Sequence, residues 1–313
     1  MVNIFYRNDE EAVPLKDCDT IKIDNCIIDF IITYTGKNIN ESIEINYVRP
    51  GNLRNEILLD NRVNHKFEQN NERLIQTLGK AFKEESICYV TLLRNLNQLI
   101  YFTFHELFHF IDPFETDIEI SREIGAGLYK VDFDKQIIKN VRIMINELFA
   151  TSRAMEVLIL FNENTVPKGV LNYSIMENDL CISLKGVIND FNRSLKKIDE
   201  LDIFNDFRVY LIEYFFKNFI QFIMYYLGAW YKFKKYDLEF TEFRECWSQF
   251  IDYVNDNIDS NLANFLTNLK EQILKEWTYS DKIIIRYFEF EFIKYFVEND
   301  KNKNLYDYWK NLQ

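Results

Sequence analysis

Residues 95–111, NLNQLIYFTFHELFHFI, carry apolar side chains on nearly every face of the helix that their spacing specifies. A surface helix confines its apolar residues to one stripe, so a helix like this one belongs in the middle of a protein. The rest of the chain has the means to cover it. Hydrophobic residues make up 48% of the 313, with 28 Phe and 19 Tyr, which suits a packed core and not a disordered chain. That length accommodates one large domain or two closely joined ones.

Only eight Gly and four Pro interrupt the sequence, so long helices are expected. The early part reads as strand. TIKIDNCIIDFIITYT (20–35) and SIEINYV (42–48) are rich in Ile, Val and Tyr with partial alternation, and NEILLD adds a further short strand after Pro50-Gly51. From about Asn71, NERLIQTLGKAF repeats apolar residues at helical intervals, while SICYVTLL (86–93) is ambiguous between a strand and a first helical turn. The apolar helix then runs over about 95–112 and ends at Pro113, because the residue before a proline leaves the helical region. An acidic stretch with a Gly-Ala-Gly turn at 125–127 reads as a loop or lid. A second strong helix follows over about 135–161. The run NENTVPKG (162–169) is the best boundary, giving a first domain over 1–165 and a helical part over 166–313. The expected class is α+β, predominantly α, with a small sheet within 1–60.

Charge and cysteine usage narrow the function. A net charge of −12 leaves no basic surplus to displace counterions, which disfavours nucleic acid as a partner. The five cysteines (Cys18, Cys26, Cys88, Cys181, Cys246) are scattered, with no CxxC pair, which points to reduced thiols in a cytoplasmic setting. MVNIFYRNDEEAVP lacks the apolar core of a secretory signal. The uncharged segment 219–231, FIQFIMYYLGAWY, is shorter than the roughly 20 residues a membrane span needs and reads as a buried helix. Its aromatic residues read as core packing.

The chemistry lies in HELFH. His105 and His109 are one helical turn apart and share a face, so both imidazoles can reach one Zn²⁺. Glu106 lies about 100° round the helix, where a carboxylate can take a proton from a metal-activated water without binding the metal itself. The competing reading is a pair of core histidines satisfied by ordinary partners. A catalytic zinc needs a third protein ligand and an open position. His65 sits in a polar stretch and reads as a surface residue. Glu147 is the strongest candidate, because Ile143, Glu147, Ala150 and Ala154 share one face of an apolar helix and a buried carboxylate needs a partner. Glu119, Glu123, Asp132 and Asp134 rank below it, since an acidic loop can keep its charges solvated.

HELFH followed by a helical NELFA resembles the gluzincin zinc metallopeptidases, the thermolysin and zinc aminopeptidase type. The resemblance covers about 55 residues. It implies a zincin-type active-site helix, with His105, His109 and Glu147 as zinc ligands and Glu106 as general base. HELFHFID is also similar to the neprilysin-like HExxHxxD form, which would make Asp112 a support for a histidine ligand; the other reading of Asp112 is a plain C-terminal turn residue. The chain departs from the pattern in three ways. The interval from His109 to Glu147 is longer than in thermolysin, Thr151 stands where thermolysin carries an Asp, and no further histidine is near to stabilise an oxyanion. Tyr129 and Arg153 are the candidates for that last role. The third histidine of the metzincins is absent, its position being Glu115.

The sequence therefore points to a zinc-dependent peptidase acting on a peptide or protein, with an edge strand of the sheet available to hold the substrate extended. The alternatives are a zinc hydrolase of a non-peptide amide, a zinc-sensing regulatory module, and a helical interaction protein in which HExxH is fortuitous.

Overall fold

The computed structural model describes residues 2–6, 43–64, 78–82, 84–93, 95–110, 133–165, 184, 186, 222–238, 241–257 and 260–275, with the backbone alone at 2–6, 133–145, 163–165, 261 and 272. Among them the chain is mainly α, with one four-stranded sheet. It divides into two compact units, Met1–Ile111 with Arg153–Leu171 and Asp112–Ser152 with Asn172–Gln313.

The first unit holds the sheet. Its strands are β1 (Val2–Tyr6), β2 (Ile43–Val48), β3 (Gly79–Phe82) and β4 (Ile87–Thr91), in the order β1-β2-β4-β3. The first three in that order run parallel, and β3 closes one edge antiparallel to β4. Strands β2 and β4 read as near-continuous apolar runs because parallel strands inside a sheet are covered on both faces. Successive side chains alternate between those faces. On one face, Val48, Phe82, Ile87 and Tyr89 form a core with Leu53, Ile57 and Val63, contributed by helix α1 (Leu53–Leu59) and the turn after it. The other face is covered by helix α2 (Leu96–Phe108), which packs on β3 and β4. There the Tyr47 hydroxyl and Thr103 Oγ1 are hydrogen-bonded at 3.1 Å, a polar tie that fixes the rotation of α2 on the sheet.

Several expectations change. NEILLD is part of a helix: Leu53 and Ile57, four residues apart, are its buried positions, and Leu59 is 75% exposed, so the period is helical. The helix expected from Asn71 onward does not extend through LGKAF, because Gly79–Phe82 pairs with Ile87–Val90 as a hairpin turning through Ser86 at φ 56°. SICYVTLL resolves as strand β4, and the sheet thus extends well past residue 60. Strand β2 matches its expected position; 20–35 lies outside the described residues.

Helix α2 starts where Asn95 accepts a hydrogen bond from the Gln98 N–H at 3.1 Å, an ordinary N-cap. Its last helical residue is Phe108, with His109 as the C-cap, somewhat before the proline that was expected to stop it. Nine of its thirteen residues are buried, including His105 and Glu106. The second long helix, α3 (Phe133–Thr165), exceeds its expected span at both ends and runs into the proposed boundary at 162–169.

In the second unit, the helix α4 over 222–235 packs with α5 (Thr241–Asn257), and α5 with α6 (Ser260–Leu274). Tyr226 and Trp247 stack with ring centres 5.9 Å apart, and Trp230, Phe233, Phe243 and Phe250 complete a buried aromatic cluster. Most of the described part of FIQFIMYYLGAWY is therefore core, with Phe222 exposed at its start. Helix α4 ends in a Schellman turn: Asp237 takes φ 58°, Leu238 N–H donates to the Phe233 carbonyl at 2.8 Å, and Asp237 N–H donates to that of Lys234 at 3.2 Å. Among the described residues, no helix is long and apolar enough to cross a membrane.

Candidate metal centre

The centre is built on the last two turns of α2. His105 and His109 share a face there, and their Nε2 atoms converge to 3.2 Å with the rings nearly perpendicular. His105 is 5% exposed and lies beside the Tyr101 ring, one turn earlier; His109 is half-buried. Two nitrogens bound to one tetrahedral zinc at about 2.0–2.1 Å stand about 3.3–3.4 Å apart, so the observed separation is close to what a shared ion requires. The same separation also suits a hydrogen bond in which one neutral imidazole donates to the other.

Glu106 is 7% exposed, and its side chain runs towards the sheet. It lies against strand β3 at Gly79. A Cβ built on that glycine would stand 2.5 Å from Glu106 Oε1, 2.6 Å from its Cγ and 2.8 Å from its Cδ. In the sequence Gly79 falls within an apparent helix, which hides its role. The available signal was an isolated glycine beside an apolar run, which marks close approach of another group to the backbone. Cys88, on the neighbouring strand, is fully buried. Burial first, and then the negative charges of Glu106 and Glu44, hold its thiol well above its ordinary range.

Glu147 sits in α3 and is 9% exposed. Among the described residues, one group of three has the donor types and spacing to hold a metal ion: His105, His109 and Glu147, each offering one ligand atom within 4.8 Å of the others. Thr151 is fully buried. A Cβ at Gly228 of α4 would lie 3.2 Å from the Cβ of Thr151, so α4 packs closely over this position. Arg153 Nη1 is 2.7 Å from Glu156 Oε2, an ion pair one turn apart on α3. Asp112 and Tyr129 lie outside the described residues, as do His65, Glu119, Glu123 and Asp132; Asp134 is in the first turn of α3, where the backbone alone is described. No family model, curated protein or solved structure matches this chain.

Proposed function

We propose that this protein is a zinc-dependent peptidase of gluzincin type, with His105, His109 and Glu147 as ligands and Glu106 as general base. The observation that carries the reading is the convergence of two imidazole nitrogens to 3.2 Å, on a buried helix, next to a buried carboxylate that is not part of the ligand group.

These residues would hold the zinc, which would supply Lewis acidity towards a peptide carbonyl and a water molecule. The chain's own residues do the rest. His105 and His109 present neutral Nε2 lone pairs. The apolar body of α2 keeps their surroundings poor in water, which strengthens every charge interaction there. Glu106 removes a proton from the attacking water and later delivers it to the nitrogen of the departing amine. Two histidines and one glutamate are the number of protein ligands that a catalytic zinc would take. Asp112 would orient an imidazole, and Tyr129 or Arg153 would stabilise the oxyanion, Arg153 while sharing its guanidinium with Glu156. The substrate is a peptide or protein. Strand β3, at the edge of the sheet beside Glu106, suits an extended chain added alongside it. The two described cysteines, Cys88 and Cys246, are free thiols, as a cytoplasmic setting would keep them.

The test is Glu106→Gln. It should bind zinc as the wild type does and lose about 10²–10⁴ in kcat on a peptide library that the wild type cleaves at defined bonds. Unchanged cleavage would remove Glu106 from the mechanism. Stoichiometric zinc with no cleavage by the wild type would favour a non-peptide hydrolase or a sensing module.

A further inference from the structure

We propose that Gly79 is a positioning residue for Glu106: the absence of a side chain at this point of β3 leaves the space that the Glu106 carboxylate occupies. The catalytic consequence rests on the peptidase reading, whereas the steric coupling of the two residues does not.

Three observations combine. Gly79 is buried at the start of the edge strand, paired with Val90 of β4, so it is held in register on a fixed backbone. Its φ lies outside the left-handed region, which in the described glycines is taken by Gly51 alone, so the local backbone accepts any L-residue. What a methyl group at this position would meet is the Glu106 side chain, at 2.5–2.8 Å from three of its atoms. Conformation therefore does not require glycine here; what a side chain at 79 would displace is Glu106. Within a strand glycine is disfavoured relative to alanine, so an alanine at 79 would be the stabilising choice if Glu106 were elsewhere.

An added Cβ leaves the strand in place, because β4 fixes it, and displaces the flexible partner. Glu106 would have to swing its carboxylate to another rotamer, off the line on which it meets the attacking water. Misplacement of a catalytic group by about 1 Å can cost on the order of 10²-fold in rate.

The experiment is a two-by-two cycle of Gly79→Ala and Glu106→Ala in the full chain, read by thermal unfolding, together with zinc content and kinetics of the Gly79→Ala single variant. The expected result is that Gly79→Ala lowers Tm in the wild-type background and leaves it unchanged or raised in the Glu106→Ala background, where the methyl group has room. Failure of Gly79→Ala to fold while the double variant folds is the same result in stronger form. The single variant should keep its zinc and lose about 10²-fold in kcat with little change in KM. An equal loss of Tm in both backgrounds would overturn the proposal, as would a Gly79→Ala enzyme with wild-type kcat. If the wild type cleaves no peptide, the peptidase reading fails, while the unfolding cycle still decides whether residue 79 positions Glu106.

Discussion

The Nε2 atoms of His105 and His109 stand 3.2 Å apart across a single turn of a helix that is buried over nine of its thirteen residues. Two imidazoles that face each other at this distance either share a proton or share an ion, and the two cases differ in what a mutation removes. If they share zinc, His105→Ala and His109→Ala should each lower zinc affinity by more than the roughly 10–100-fold typical of losing a supporting partner. Competition against a chromophoric chelator measures this. Wild-type zinc affinity in either variant would leave only the proton-sharing pair.

Zinc that binds the folded chain alone must also stabilise it. At a free concentration about 100 times Kd the gain is about 2.7 kcal/mol, and it vanishes when a chelator is added. Glu147→Gln should abolish most of that increment while leaving the metal-free Tm close to that of the wild type, because an amide fills the same volume without the charge. Thermal unfolding with and without zinc tests this. A zinc increment of full size in Glu147→Gln would move the third ligand to another carboxylate.

On the opposite face of the sheet, Asp60 governs acid stability. The Arg62 guanidinium, in contact with its carboxylate at 2.6–2.9 Å, is the main reason that the carboxyl sits well below the usual range; burial opposes this and the Tyr89 hydroxyl reinforces it. A group whose pKa is depressed by folding contributes stability that is complete above the unfolded value of about 3.9 and is lost as pH falls towards the folded one. Stability should therefore decline below about pH 4, and Asp60→Asn should be less stable at neutral pH with a shallower acid limb. Urea unfolding across that range reads both slopes; parallel acid limbs would contradict the assignment.

Gly228 lets α4 approach the backbone of α3. A methyl group there would meet the Leu148 carbonyl oxygen at 3.0 Å and the Ser152 nitrogen at 3.3 Å, both of which belong to a helix that cannot yield cheaply. Gly228→Ala should cost about 1–3 kcal/mol, despite the better helix propensity of alanine. Denaturant midpoints of the two proteins give the answer, and a stabilised variant would show that the two helices are free to separate.

The parts of the fold that were legible are those with strong, uninterrupted patterns. Strand β2 and helices α2 and α3 follow from Ile-rich alternation and from apolar residues at helical spacing. A short segment that takes its conformation from its neighbours is not legible in this way. Gly79–Phe82 is a strand because β4 lies beside it, and nothing within those four residues outweighs the helical pattern upstream. LRNEILL is a helix because the side chains of Leu53 and Ile57 meet one core, whereas its bare composition suits a strand equally well. The histidine pair and Glu106 were legible because spacing along one helix determines their geometry. The approach of Glu106 to Gly79 was not, since it depends on which strand lies under that helix.

The most direct test of the proposed centre is zinc K-edge absorption on protein purified free of metal and reloaded with one equivalent of zinc. The expected spectrum has nitrogen and oxygen neighbours at about 2.0–2.1 Å, with the outer-shell scattering of two imidazoles, and that imidazole signal is reduced in His109→Ala. Sub-stoichiometric zinc after reloading, or a bound ion whose spectrum lacks imidazole scattering, would contradict the assignment of His105 and His109 as a metal centre.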